Sequence, residues 1–255
     1  MKNDFIRHIL FILTAFCLFN YSFGQTSYVT YNTTSSKANS IYKSKEDTLR
    51  KQFEAKGFKW PARYVYIRSF KYDSQLEVWI KNTSKEPYRL FKSYKVCMQS
   101  GTMGPKRLEG DFQVPEGIYH IDDFNPNSNY HLSLGLNYPN ASDRILSDSL
   151  RPGGDIYIHG SCVSVGCVAL NDQDIEDVFT ITSYAKANGL EFIPVHVFPA
   201  RYNVKKSADY LATTIRSKEH IKKFEDRLKE IFDYFNEHKQ IPIILINKKG
   251  EYVLN

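Results

Sequence analysis

Asp155-Ile156-Tyr157-Ile158-His159-Gly160-Ser161-Cys162-Val163-Ser164-Val165-Gly166-Cys167-Val168-Ala169-Leu170 is the stretch on which the reading of this chain turns. Alternation puts Ile156 and Ile158 on one face and Tyr157 and His159 on the other, which predicts a strand over 155–159. Gly160 frees the backbone to turn, so His159 is expected to emerge at the strand end. A loop of small residues then leads to Cys167. Gly166 permits positive φ or close backbone approach, which a loop needs in order to aim two amide N–H groups at a developing oxyanion. A thiol is only a few per cent ionised at neutral pH, so a nucleophilic cysteine wants an imidazole beside it, and His159 is the candidate. Asn171 is the expected N-cap of the following helix, too far past Cys167 for the helix dipole to help. Other readings stay open. A zinc site of His159, Cys162 and Cys167 lacks an evident fourth ligand and a Cys-x-x-Cys pair. Cys162 could be bonded to Cys167 or to Cys97, or the cysteines could be buried small residues.

Outward from this stretch the pattern is that of a sheet. Tyr64-Val65-Tyr66-Ile67, Leu76-Glu77-Val78-Trp79-Ile80 and Tyr88-Arg89-Leu90-Phe91 alternate across the turns Tyr72-Asp73-Ser74 and Asn82-Thr83-Ser84-Lys85, which spells an antiparallel meander. Residues 100–117 are rich in Gly and Pro and form a long structured connection. Further strands are expected at 118–121, 131–136 and 191–198. A helix is expected from Asn171 to Gly189, on the spacing of Ile175, Val178, Phe179, Thr182 and Ala185. Before the meander, residues 26–38 read as an unstructured lead, followed by a short surface helix around Ile41, Leu49 and Phe53 that ends at Gly57. The tail from about Lys205 predicts one helix, with Ile221, Phe224, Leu228, Ile231, Phe232 and Phe235 in one stripe, then a hairpin of 241–246 with 251–254.

A chain of 255 residues, 42% of them hydrophobic, is neither disordered nor fibrous and can bury a core without disulfide staples. The net charge of +6 is a mild bias toward anionic partners. No dense Lys/Arg stripe with interleaved aromatics accompanies it, so no nucleic acid partner is expected. Lys2 and Arg7, the apolar run from Ile9 to Phe19 and the small residues around Ser22-Phe23-Gly24 read as a signal peptide over 1–24. That run is too short for a permanent membrane span, which takes roughly 20 residues. Phe16 before Cys17 argues against a lipid anchor. The expected location is therefore outside the cytoplasmic membrane, periplasmic or associated with the cell envelope. Cys97, Cys162 and Cys167 remain, and an odd number in an oxidising compartment leaves at least one thiol unpaired within the chain. No phosphate loop, metal cluster or cofactor motif appears, so neither a cofactor nor a metal is expected.

The His-Gly strand end followed by Ser-x-Gly-Cys resembles the active-site signature of the YkuD-type L,D-transpeptidases, and is most similar to the YafK-like branch. Ser93-Tyr94-Lys95-Val96-Cys97, Gly104-Pro105-Lys106, Gly110-Asp111-Phe112, Pro115-Glu116-Gly117-Ile118-Tyr119, Asn137-Tyr138-Pro139-Asn140 and Asp143-Arg144 follow in that branch's order, and the resemblance spans about residues 60–200. It implies a mostly β, α+β fold, a two-sheet sandwich-like core with short helices. The chain then divides into the leader, a lead and short helix over 25–60, a catalytic domain over 61–200, and a helix-hairpin appendage over 201–255.

By position the resemblance makes Cys167 the nucleophile, His159 the general base and acid, Ser164 a supporting or substrate-contacting hydroxyl, and the N–H groups of Gly166 and Cys167 the oxyanion hole. Gly160 and Tyr157 would line the substrate cleft, as would Tyr138, with Asp111 and Glu116 shaping the groove. Most members have His and Arg where this chain has Val165 and Ala169, and a longer loop between His and Cys. Arg144, Lys106 or Arg107 is the expected substitute for that arginine as ligand of a substrate carboxylate, on charge alone. His120 and His131 are read as ordinary surface or core histidines. The implied activity is attack of Cys167 on the stem peptides of peptidoglycan, at the carbonyl of the diamino-acid residue preceding a terminal D-amino acid. The resulting thioester passes to an amine acceptor, or to water in a hydrolase that cleaves cross-links or attached protein. A non-catalytic wall-binding module on the same fold is the alternative from another class. Peptidases of the NlpC or papain kind place the cysteine before the histidine, the reverse of the order here.

Overall fold

The computed structural model describes residues 35–255. The expected leader and the first part of the polar lead lie outside the described residues. From Ser35 onward the lead is helical, because the Ser35 hydroxyl caps α1 (Ser36–Ala55) by accepting the Ala38 N–H. Ala38, Ile41, Tyr42, Leu49 and Phe53 give this helix a buried face. It is therefore a twenty-residue element of the core, where a short surface helix was expected.

The meander forms as its alternation predicts. β1 (Tyr64–Phe70), β2 (Gln75–Lys81) and β3 (Arg89–Lys95) pair antiparallel, with a register shift at Val78/Trp79. After the Gly/Pro connection come β4 (Gly117–Asn125), β5 (Ser133–Leu136), the short α2 (Ala141–Leu146), β6 (Tyr157–His159) and β7 (Val168–Ala169). Helix α3 (Asp172–Ala187) follows, N-capped by Asn171 as its sequence signals, and leads to β8 (Ile193–Phe198). β8 is inserted parallel to β1 and antiparallel to β4. The result is one continuous eight-stranded sheet in the order β3-β2-β1-β8-β4-β5-β6-β7. The sheet curls until its ends meet: Met98, just past β3, bridges Ala169 on β7.

Both faces of the central strands are covered. Val65 and Ile67 of β1 join Phe53 of α1 and Val178, Phe179 and Ile181 of α3 in the main core. Tyr66 and Phe70 face the other way, against Phe235 and Phe232. Those two phenylalanines belong to α5 (Glu219–His238), which follows α4 (Lys205–Ile215). The tail thus holds two helices where one was expected, broken at Arg216-Ser217-Lys218. The closing hairpin, β9 (Ile244–Ile246) with β10 (Tyr252–Leu254), forms around the expected turn at Asn247, with strands shorter than expected. Its Tyr252 is buried beside Phe70 and Phe232. No helix among the described residues is long and apolar enough to cross a membrane.

Candidate active site

The strand carrying His159 is short and sits near one end of the sheet. β6 pairs antiparallel with β5 and parallel with β7, with Ile158 opposite Val168 and His159 opposite Ala169. The same register sets Cys167, the residue before β7, against Tyr157, and the Tyr157 N–H points at its sulfur at 3.4 Å. His159 lies two residues further along β6. Parallel pairing of two strands joined by only eight residues, 160–167, puts the imidazole and the thiol on neighbouring strands, two register positions apart.

His159 is the last residue of β6, at the strand end as expected, and it is buried, 2% exposed. Its Nδ1 lies 2.7 Å from the carbonyl of Gly160. A carbonyl can only accept, so Nδ1 carries the proton of the neutral ring and Nε2 keeps its lone pair. The Tyr130 ring packs against the imidazole at 4.8 Å between centroids. Burial lowers the His159 pKa below its ordinary value, opposed in part by the Gly160 hydrogen bond. A neutral imidazole with a lone pair on Nε2 can take a proton.

Cys167 is half-buried, and burial pushes its thiol up; the Tyr157 N–H pulls it back, Asp155 raises it and Lys106 lowers it. The thiol donates to the Asp155 carbonyl at 3.5 Å. The resting pair is thus a neutral thiol and a neutral imidazole, not hydrogen-bonded to each other. Cys97 and Cys162 form a disulfide, with Cα atoms 5.5 Å apart, so Cys167 is the free cysteine among the described residues. This removes the alternative of a Cys162–Cys167 bond. A zinc site of His159, Cys162 and Cys167 is likewise removed, because the disulfide takes one of its three ligands.

Ser164 is the hub of the loop. Its hydroxyl accepts from the N–H of Gly166 at 3.2 Å and of Cys167 at 2.9 Å, and donates to the Cys167 carbonyl at 2.7 Å. The two N–H groups expected to bind an oxyanion therefore converge on one point, and Ser164 Oγ occupies it in the resting protein. Gly166 has φ +129°, open to glycine alone, and its backbone lies against Gln113 and Phe112 of the Gly/Pro connection. Gly160 is fixed by its N–H bonds to Tyr130 and Leu132, and a Cβ there would lie 2.6 Å from the Asp172 carboxylate. Tyr157 lines a hollow of about 210 Å³ beside the site with Tyr130, Ser133 and the Asn125–Asn129 turn.

The three basic residues expected to replace the missing arginine lie apart. Lys106 is 5% exposed and bound to Asp111 at 2.5 Å, and it is the one of the three whose charge bears on Cys167. Arg107 pairs with Asp143 at 3.0 Å. Arg144 is exposed, donates to the Pro139 carbonyl, and lines a separate cavity of about 310 Å³ with Asp122 and Asn137. Asp111 also accepts the N–H groups of Arg107, Leu108 and Gln113, so it builds the loop beside Gly166. Glu116 is paired with Lys71 at 2.8 Å, away from the thiol. Tyr138 donates to the Pro152 carbonyl, His120 packs on Phe192, and His131 bonds Glu176. Sequence reasoning missed Tyr130 and the Asp155 carbonyl. A carbonyl carries no side-chain signal, and Tyr130 reaches His159 only through the β4–β5 turn.

The family model of the L,D-transpeptidase catalytic domain, YkuD, matches residues 64–197. Two curated Escherichia coli proteins, from strains K12 and O157:H7, each named "Putative L,D-transpeptidase YafK", are 34% identical over 197 residues, 75% of this chain and 74% of theirs. Among solved structures, the helical cell shape determining protein Pgp2 from Campylobacter jejuni is 20% identical with a TM-score of 0.42, over 72% of this chain and 73% of that one. Bd1075 from Bdellovibrio bacteriovorus is 18% identical with a TM-score of 0.39, over 73% of this chain and 78% of that one. The matched segment runs from the first residue of β1 to Val197, the last but one of β8, and contains His159, Ser164, Gly166 and Cys167. The chain belongs to the YkuD family of L,D-transpeptidase catalytic domains.

Proposed function

We propose that this protein is an exported cysteine-dependent L,D-transpeptidase acting on peptidoglycan stem peptides. The observation that carries the reading is the free thiol of Cys167, one strand over from an imidazole whose Nδ1 proton is pinned by Gly160, while Cys97 and Cys162 are bonded to each other. His159 Nε2 takes the thiol proton as the sulfur attacks the carbonyl of the diamino-acid residue. The N–H groups of Gly166 and Cys167 stabilise the oxyanion, and the Ser164 hydroxyl yields its place to it. The imidazolium then donates its proton to the departing amine of the terminal D-amino acid, which leaves a thioester on Cys167. An amine acceptor resolves the thioester by aminolysis. The Cys97–Cys162 disulfide supports the export reading, since such bonds persist in oxidising compartments.

The test is incubation of the purified protein with a stem tetrapeptide and an amine acceptor, and separately with cross-linked or protein-linked muropeptides, followed by mass analysis. A cross-linked product and an acyl adduct on Cys167, both lost in Cys167→Ala, are the expected result. Cleavage without transfer assigns the hydrolase. No change in either substrate, or activity that survives Cys167→Ala, removes the reading.

A further inference from the structure

We propose that the Cys97–Cys162 disulfide is a positioning device for the nucleophile: it fastens the 160–166 loop to the far end of the curled sheet, and a dithiol that opens it releases Cys167 from its working position. The inference rests on the proposed role of Cys167. β3 and β7 are the two ends of the sheet. They meet through a short contact in which the Cys97 N–H donates to the Ala169 carbonyl at 2.9 Å and the Ala169 N–H donates to the Met98 carbonyl at 3.1 Å. The disulfide crosses the same junction, but it lands in the middle of the loop between His159 and Cys167 and joins residues 65 apart in sequence. Cys167 is thus enclosed in a ring made of Cys162, the disulfide, Cys97-Met98 and the bridge to Ala169.

The loop has little else to hold its tip. Val163 and Val165 are 50% and 73% exposed, so the tip has almost no apolar packing. The three bonds of Ser164 are all made within the loop and fix its shape, not its place. Ser161 and Cys162 are consecutive non-glycine residues in the left-handed region, with φ 67° and 47°. Such a pair persists only where the surroundings over-determine it. Asp172 does this for Ser161 by accepting its N–H at 2.8 Å, and Cys162 has a long N–H bond to Leu170 at 3.4 Å together with the disulfide. Opening the disulfide removes the strongest of these ties. In that step the dithiol becomes a disulfide, the Cys97–Cys162 bond becomes two thiols, and two electrons and two protons pass to the protein. The loop is then free to move Ser164, Gly166 and Cys167 together.

The experiment is the rate of Cys167 alkylation by iodoacetamide as a function of pH, read by peptide mass spectrometry. It compares the oxidised protein with the double variant Cys97→Ser/Cys162→Ser, in which Cys167 is the one cysteine left after Gln25. Expected in the double variant is alkylation about tenfold faster at pH 8, with its midpoint moved down toward that of an ordinary thiol, and a kcat on stem peptide at least tenfold lower with little change in KM. An alkylation rate and midpoint equal to those of the oxidised protein overturn the proposal. Alkylation needs no turnover, so a protein inert toward stem peptides in both forms refutes the enzymatic reading and leaves this comparison to decide. Where the double variant does not fold, hydrogen exchange of the wild-type chain with and without dithiothreitol decides. Loss of protection confined to 160–170 supports the proposal, whereas no loss, or a loss shared by β1 and β2, overturns it.

Discussion

His159 and Cys167 are moved in opposite directions by the same cause. Burial disfavours the charged form of each, so the imidazole pKa falls and the thiol pKa rises. A cationic imidazole cannot accept the thiol proton, so kcat/KM is lost only below the His159 pKa. The acid limb of its pH profile is expected to have a midpoint under the ordinary 6.5. Without substrate the thiol must ionise unaided, and the midpoint for alkylation by iodoacetamide is expected above 9.0. The two curves together check the assignment. An alkylation midpoint near 6, the mark of a preformed thiolate–imidazolium pair, contradicts it. Ser164 belongs to the same scale: its one oxygen gathers two N–H groups at a point, a geometry that the sequence pattern of Ser and Gly around a cysteine suggests but cannot orient.

At the scale of elements, α5 is joined to the connection before β4 through buried charge. Glu116 is 0% exposed, bound to Lys71 at 2.8 Å and to the Gly104 N–H at 2.8 Å. Glu225 of α5 is 2% exposed and accepts from the Tyr202 hydroxyl at 2.9 Å. Each carboxyl has one buried oxygen without an assigned partner, Glu116 Oε2 and Glu225 Oε1. Burial and the neighbouring Glu116 raise the Glu225 pKa well above its ordinary value. Glu225 is therefore the neutral acid, set against Glu116, which is the partner of Lys71. The two glutamates should respond differently to amide substitution. Glu225→Gln keeps a donor in place and is expected to cost less than about 1 kcal/mol in urea unfolding at pH 7. Glu116→Gln leaves Lys71 buried without its counter-charge and is expected to cost about 3–5 kcal/mol. Equal costs for the two variants rule out this assignment of the proton. A carboxyl held protonated in the fold also lowers stability as pH rises above its ordinary 4.5. Glu225→Gln should remove that slope.

For the whole molecule, the C-terminal helices are part of the fold. Phe232, Phe235 and Tyr252 cover the face of the sheet formed by Phe70, Phe198, Tyr66 and Trp79. The Arg68 guanidinium lies beneath them, paired with Glu77 at 2.7 Å and stacked near Trp79 and Phe235. A chain ending at residue 218 uncovers these aromatics and that buried ion pair together. It is expected to lose native side-chain dispersion in NMR spectra, or to aggregate. A folded, dispersed truncate would show that the tail is an appendage, as its position after the catalytic segment suggests when sequence alone is read.

Local pattern is enough for the meander, for the start of α3 and for the chemistry-bearing stretch. Alternation in 64–67, 76–80 and 88–91 spelled the meander, because hairpin strands pair with their neighbours in the chain. Asn171 marked the start of α3, because a cap bonds within four residues of itself. His159-Gly160 and Ser164-x-Gly166-Cys167 sit within nine residues of one another, so they can be read together without a fold. What depended on long-range packing was not. α1 reached back to Ser36 because its apolar face found α3, and β8 entered the sheet between β1 and β4 across most of the chain length. The partner of Cys162 was left open by spacing and settled only by the curl that carries Cys97 to β7. The same holds for the charges. Lys106, Arg107 and Arg144 are equivalent on composition, and only tertiary structure gave two of them carboxylate partners and left the third in another cavity. Sequence determines what is decided over a few residues, by period, cap and turn; the contacts that set pKa values, pair cysteines and neutralise buried charge join segments brought together by the core, and they exist only once the core has formed.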